Sequence, residues 1–329
     1  MSHEKQQLEQ QLWNIANTLR GKMDADDFRD YILGFIFYKY LSEKMEDYAN
    51  TILKPDKITY DEVEKHKDKK EYLAAIKDEA LDKLGYFLKP SELFSEMARR
   101  GNAEGKSKFI LDDLSKVLTG IEQSTMGSES EEDFGNLFED LDLTSSKLGK
   151  TENDKNELIV KVLAHLNDID FDLRNTENDL LGDAYEYLIG KFASGAGKKA
   201  GEFYTPQQIS DILSTIVTLD SQEPKTGAKQ RLESVMDFAC GSGSLLLNVR
   251  KRMGPHGIGK IYGQEKNITT YNLARMNMLL HGVKDTEFEI FHGDTLTNEW
   301  DKLRELNPAK KPTFDAIVAN PPFSLPLLP

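Results

Sequence analysis

The chain has 329 residues, the length of two domains or one large one. Hydrophobic residues at 39% and charged residues at 30% supply a core and exclude a wholly disordered chain. Lys and Arg total 42 against 56 Asp and Glu; the net charge of −14 excludes a protein that holds nucleic acid by bulk electrostatics alone, so work on DNA would call for a basic partner.

The opening Met1-Ser-His-Glu-Lys5 lacks the basic-then-apolar pattern of a secretory leader. The single cysteine, Cys240, can form neither an intramolecular disulfide nor a multi-cysteine zinc site. A reducing, cytoplasmic setting is expected. From about Glu4 to Leu53 apolar residues recur at helical spacing, first Leu8, Leu12, Ile15 and Leu19, then Phe28, Ile32, Phe35, Ile36, Leu41 and Met45. Two amphipathic helices follow from that period, with Asp24 as N-cap of the second. The stretch Tyr31 to Leu41 is too short for a membrane span and contains Lys39, so it reads as a buried helix. Helical pattern returns over Tyr72 to Leu84 and Ile110 to Ile121.

Between Gln123 and Lys150 the composition shifts to Ser, Gly, Glu and Asp, with Glu129, Glu131, Glu132 and Asp133 close together. The acidic cluster reads as a solvated loop or helix edge, the alternative being a partner-binding feature. This stretch is taken as the approach to a boundary between a helical domain, 1–150, and a second domain, 151–329. Helical segments Glu157 to Leu166 and Asp179 to Phe192 then lead into a predicted loop, Ala193 to Gly201. Its Gly197-Lys198 does not make a phosphate-binding loop, because Phe192 and Lys199 stand where Gly and Ser or Thr are needed. Lys198 and Lys199 are left as solvated residues or contacts to a nucleic-acid backbone.

After residue 230 the period changes. Strands are expected at Ser234–Phe238, Lys260–Gln264, Phe288–Phe291 and Phe314–Ala319, with helices at Leu245–Arg252 and Thr269–His281. That alternation implies a parallel α/β sheet covered by helices, whose ligands sit at the carboxyl ends of the strands. There stands Asp237-Phe-Ala-Cys-Gly-Ser-Gly-Ser244, between a strand and a helix. Gly241 and Gly243 allow close backbone approach, and the helix offers free amides. Leu246 occupies the third glycine position of a dinucleotide fingerprint, which tells against a bound pyrophosphate. Glu265, at the end of the next strand, can accept from both hydroxyls of a ribose. Asp294, after Gly293, can accept from an adenine amine or serve as a simple turn residue. In Asn320-Pro-Pro-Phe323 two prolines fix the backbone so that the Asn320 side-chain oxygen and the Pro321 carbonyl converge on one amino group, while Phe323 offers a stacking face.

The order Phe203-Tyr-Thr-Pro206, Asp237-x-x-x-Gly-x-Gly243, Asn320-Pro-Pro-Phe323 resembles the amino-methylating DNA methyltransferases. With the long helical region ahead of Asp172-Leu-Arg-Asn-Thr176 and Gly201-Glu-Phe-Tyr-Thr-Pro206, the whole chain looks like the modification subunit of type I restriction-modification systems, an adenine-specific DNA methyltransferase. The resemblance implies a Rossmann-like S-adenosylmethionine-dependent methyltransferase sheet behind an all-α N-terminal domain. It implies S-adenosylmethionine as cofactor, with Glu202, Phe203, Tyr204, Thr205, Pro206 and Gln207 at its methionine end. Asp237, Gly241, Ser242, Gly243 and Ser244 would lie at its centre, Glu265 at the ribose and Asp294 at the adenine. Asn320, Pro321, Pro322 and Phe323 would hold the target base, adenine N6 being favoured over cytosine N4 by Asn at 320 and Phe at 323. The implied partners are double-stranded DNA, a specificity subunit, a second modification subunit and a restriction subunit that cuts and translocates.

Sheets of this kind usually carry more strands than the four countable here, and the residues after Leu325 do not look like the family's continuation. The expectation is a C-terminally truncated chain whose fourth strand is an exposed apolar edge prone to self-association. Two other readings stand beside the first: methylation of a glutamine amide in a protein, which also uses an Asn-Pro-Pro pocket, and a non-catalytic scaffold in a DNA-bound complex.

Overall fold

The structure, a computed structural model, describes residues 3–19, 25–102, 108–171, 173, 180–195, 204–219, 231–254, 256–297, 300–307 and 309–322. By contacts the chain divides into two compact units, Met1–Tyr185 and Glu186–Pro329. That division falls later than the boundary read from composition.

The first unit is helical. Its elements are α1 (His3–Leu19), α2 (Ala25–Leu53), α3 (Tyr60–Val63), α4 (Lys69–Lys83), α5 (Phe94–Gly101), α6 (Leu111–Ser124), α7 (Glu131–Phe134) and α8 (Glu152–Asn167). α2 is its axis: Phe28, Ile32, Phe35, Ile36, Leu41 and Met45 are all buried, as the helical period requires. Lys39, buried in the middle of α2, is neutralised one turn later by Glu43, and its ammonium lies 4.7 Å from the centre of the Phe171 ring. Buried tyrosines find carbonyls for their hydroxyls: Tyr38 donates to Glu92 and Tyr60 to Leu88, each at 2.5 Å. Asp24, expected as the N-cap of α2, lies outside the described residues. Among the described residues no helix is long and apolar enough to cross a membrane.

The Ser- and Glu-rich stretch 123–150 is part of the first unit's core. Phe134, Leu137, Phe138, Leu141, Leu143 and Leu148 are buried within it, and Ser130 donates to the Gly85 carbonyl at 2.5 Å. Glu131, Glu132 and Asp133 form the first turn of α7, with Glu131 and Glu132 exposed and Phe134 facing inward. Polar composition and apolar anchors coexist because the anchors are few and widely spaced. α8 starts on a capping box, in which Thr151 Oγ1 accepts from the Asp154 amide at 3.1 Å and Asp154 accepts from the Thr151 amide at 3.0 Å.

The unit division falls inside α9 (Leu180–Gly195). The helix continues past Phe192, so the expected loop begins later, and residues 196–203, with Lys198 and Lys199, lie outside the described residues. The second unit then runs α10 (Gln207–Val217), β1 (Leu232–Asp237), α11 (Ser244–Met253), β2 (Ile258–Glu265), α12 (Ile268–Leu280), β3 (Phe288–His292), α13 (Asp301–Arg304) and β4 (Ala316–Ile317). The four strands form one sheet in the order β3-β2-β1-β4, with every pair parallel. Val235, Leu246, Val249, Ile261, Ala274 and Met278 fill the core between sheet and helices. β4 pairs with β1 in the register Val235 with Ala316 and Met236 with Ile317, flanked by backbone hydrogen bonds from Asp315 and Val318, and Ile317 is 57% exposed between buried Ala316 and Val318. Along α10 and the two residues after it, Leu213 and Val217 pack against the core together with buried Ser210, Ser214 and Thr218, while Ile209, Ile212, Ile216 and Leu219 are exposed.

Candidate active site

The chain lays down β1, β2 and β3 in one direction and then returns to the far side of β1 for β4. In an open parallel sheet the crevice for a ligand lies at that reversal, outside the carboxyl ends of the strands. β1 ends at Asp237, β2 at Glu265, and β4 runs into Asn320. Three of the residues expected from sequence therefore stand at the sheet's ligand-binding end.

The turn after β1 is tight. The Asp237 carboxylate accepts from the Ala239 amide at 2.9 Å, the Gly243 amide donates to the Cys240 carbonyl at 2.8 Å, and Gly243 caps α11 with φ +79°. That left-handed conformation is open to glycine and strains a side chain. Gly241 to Ser244 are buried, and the Gly241 amide donates to Glu265 Oε2 at 3.1 Å. Glu265 Oε1 accepts from the Asn267 amide at 2.8 Å. The glycine turn and the residue expected at the ribose are thus joined directly, and each Glu265 oxygen keeps accepting capacity for a further hydroxyl. Burial pushes the Glu265 carboxyl above its ordinary range, opposed by the amides of Asn267, Gly241 and Lys266.

Asp237 is 1% exposed, and burial pushes its pKa up to about 7, opposed by the Ala239 amide and reinforced by Glu265. Between its ordinary 3.8 and about 7 the folded chain keeps a proton that the unfolded chain has released, so this group's contribution to stability declines as pH rises through that window. Asp237→Asn should therefore stabilise the ligand-free protein by ~2 kcal/mol or more at pH 8, and by little at pH 4. Denaturant midpoints at the two pH values check this; an equal or negative shift at pH 8 would refute it.

Asp294 has both oxygens engaged, Oδ2 by the Lys266 ammonium at 2.7 Å and Oδ1 by the Leu296 amide at 2.9 Å. The Lys266 hydrogen bond first, then the Leu296 amide, hold its carboxyl below the usual range. The hydrogen bond from the Leu296 amide closes the turn that follows Gly293. Asn320 Nδ2 donates to Thr205 Oγ1 at 3.3 Å, which brings the last motif against the first. Tyr204 lies against α9, where a Cβ on Gly190 would come 3.0 Å from its hydroxyl. Burial, then the nearby Glu186 charge, push the Tyr204 phenol up to about 12. Glu202, Phe203 and Phe323 lie outside the described residues.

Sequence reasoning missed three polar residues here. Glu186 accepts from Gln207 Nε2 at 3.0 Å and Ser244 Oγ at 2.6 Å, and also from Asn277 Nδ2. Asn248 Nδ2 donates to Gln207 Oε1 at 2.9 Å and Ser210 Oγ at 2.6 Å. The available signal was an acid inside the apolar run Ala184-Tyr-Glu-Tyr-Leu-Ile189.

Residues 176–326 match the model of the N-6 DNA Methylase family, and residues 8–166 match that of the HsdM N-terminal domain. Over 97% of its length the chain is 38% identical to the type I restriction enzyme MpnII methylase subunit of Mycoplasma pneumoniae. The chain thus carries an HsdM N-terminal domain followed by an N-6 DNA Methylase domain, and is similar along almost its whole length to a type I restriction enzyme methylase subunit. A more distant relative, the MjaIX methylase subunit of Methanocaldococcus jannaschii, is 26% identical over 97% of the chain. The chain spans 58% and 51% of the lengths of these two relatives. Among solved structures, the methyltransferase subunit of a type I system from Streptococcus thermophilus superposes with a TM-score of 0.79 at 36% identity, covering 97% of this chain and 64% of that one. The family's fold, a helical N-terminal region followed by a parallel methyltransferase sheet, is the one observed.

Proposed function

We propose that this chain is the catalytic part of a type I modification subunit, and that it transfers a methyl group from S-adenosylmethionine to adenine N6 in DNA. The observation that carries the reading is the placement of Asn320 just beyond β4, next to the glycine turn at the sheet's reversal, with its amide nitrogen given to Thr205. That hydrogen bond leaves Asn320 Oδ1 as the end that faces a substrate amine.

The residues present fit the donor. Asp237 and Glu265 bring two carboxylates to a glycine turn at the head of α11, a set suited to a cationic ligand that carries ribose hydroxyls. Tyr204, Thr205, Pro206 and Gln207, with Glu202 and Phe203, are assigned to its methionine end. Asp237 and Gly241 to Ser244 are assigned to its centre, Glu265 to the ribose and Asp294 to the adenine. Once bound, S-adenosylmethionine supplies an electrophilic methyl on a sulfonium. Asn320 Oδ1 and the Pro321 carbonyl accept the two hydrogens of the target amine, which localises its nitrogen lone pair for attack. Pro322 stiffens the segment and Phe323 stacks on the base. Because N6 is paired inside a duplex, the base must be flipped out at a cost of a few kcal/mol.

The charge of −14 leaves grip and sequence reading to other chains. Double-stranded DNA, a specificity subunit, a second modification subunit and a restriction subunit are the partners this reading requires, in the cytoplasm. The helical unit, Met1–Tyr185, would serve assembly and Glu186–Pro329 the chemistry. Transfer of labelled methyl to adenine N6 by the chain together with its specificity partner tests the reading, and absence of transfer by that complex would end it.

The Asn320 orientation has its own test. Thr205→Val removes the acceptor and should lower kcat about 5–10-fold, with recovery in Thr205→Ser. Equal rates for the Val and Ser variants would show that the hydroxyl does not hold the amide.

A further inference from the structure

Glu186 lies in α9 among the buried residues Ala184, Tyr185, Leu188 and Ile189, and is itself only 6% exposed. A carboxylate taken out of water costs several kcal/mol unless hydrogen bonds compensate it. Here the donors come from three separate segments. Gln207 Nε2, at the head of α10, donates at 3.0 Å, and Ser244 Oγ, at the head of α11, donates at 2.6 Å. Asn277, in the middle of α12, donates to the other carboxylate oxygen and also to the Ser242 carbonyl at 2.9 Å. Ser242 and Ser244 hydroxyls lie 2.8 Å apart, and Asn248 ties Gln207 back to α11 at 2.9 Å. One charged group thus links the glycine turn, the segment ahead of α10 and the helix that follows β2.

We propose that Glu186 is a positioning residue of the donor site, whose carboxylate holds the glycine turn and the Tyr204–Gln207 segment in the register that S-adenosylmethionine requires. The inference rests on the donor site assigned above. Three donors converge on two oxygens, an arrangement that a carboxylate satisfies and a carboxamide cannot. With an amide at this position one N–H would face another donor, and the segments would part. The carboxylate thus ties the head of α10 and the head of α11 to one helix before ligand arrives.

The test is isothermal titration of S-adenosylmethionine and of S-adenosylhomocysteine into the full chain, with thermal melts, for the unaltered protein, Glu186→Gln and Glu186→Asp. The Gln variant should bind both ligands at least about tenfold more weakly, by similar factors, with a melting transition within a few degrees of the unaltered protein. The Asp variant, which keeps the charge on a shorter arm, should fall between the two and serves as the test if the Gln variant does not fold. Unchanged affinity in the variants would overturn the proposal and leave the donor site standing. So would a loss confined to S-adenosylmethionine, which would put Glu186 against the sulfonium charge itself, or a loss in both variants that follows a collapsed melting transition. If the unaltered chain binds neither ligand, the donor site falls first and the positioning role with it.

Discussion

Replacing Asn320 with Ala is expected to lower the rate of methyl transfer in the assembled complex by about 10²–10³-fold while leaving donor affinity within about twofold. The side-chain oxygen is needed where charge develops on the target nitrogen, and its removal cannot be repaired by the Pro321 carbonyl alone. The position of Asn320 separates this from a folding effect. It follows a two-residue edge strand, is half-buried, and its one hydrogen bond described here runs to Thr205, so truncation leaves the core between sheet and helices intact. Single-turnover transfer to DNA, with donor titration alongside, is the measurement. Retained transfer would favour a scaffold over a catalyst.

The second large effect is expected at the glycine turn. Gly243→Val places a β-branched side chain at φ +79°, where its Cβ would also come 2.8 Å from the Met278 methyl. Met278 can move, so the backbone term dominates, and a left-handed β-branched residue costs about 1–2 kcal/mol or more. The chain can relieve that strain only by rotating the peptides of residues 241 to 244, which carry the Gly241 amide to Glu265 and the Ser244 hydroxyl to Glu186. Donor affinity should fall by more than about tenfold, against a loss of thermal stability of only a few degrees. Isothermal titration at matched fraction folded checks it; affinity equal to that of the unaltered chain would mean that the turn does not shape the donor site.

The strands and the glycine turn were legible because short apolar-rich runs stop at turn residues: Ser234–Phe238 leads into Gly241-Ser-Gly243, Phe288–Phe291 into Gly293-Asp294, and Phe314–Ala319 into Asn320-Pro-Pro322. β4 was expected over Phe314–Ala319; its strand residues are Ala316 and Ile317, and backbone hydrogen bonds from Asp315 and Val318 to β1 carry the pairing one residue further on each side. α5 was not foreseen; Phe94–Gly101 is only eight residues long, about two turns, so its buried Phe94, Met97 and Ala98 mark one face without a sustained repeat. The folded nature of residues 123–150 was hidden in the same way, by composition that averages Phe134, Leu137 and Phe138 with their acidic neighbours. In the site, motif residues were readable as motifs, whereas Glu186, Asn248 and Asn277 belong to no local pattern. Their meaning lies in a convergence of four helices that neighbouring residues along the chain do not encode.

α10 has a consequence for how this chain tolerates change. Its small hydroxyl residues face inward, so any enlargement at Ser210 or Ser214 drives it away from α11 and breaks the Asn248 contact, although each swap would look conservative on a polar scale. Ile212 and Ile216 face outward, so polar replacements there remove little that the core uses. Leu213 and Val217 pack against the core and keep the usual ranking, but at the serines and isoleucines a variant-effect score built on hydropathy would place harmful and harmless substitutions in the wrong order.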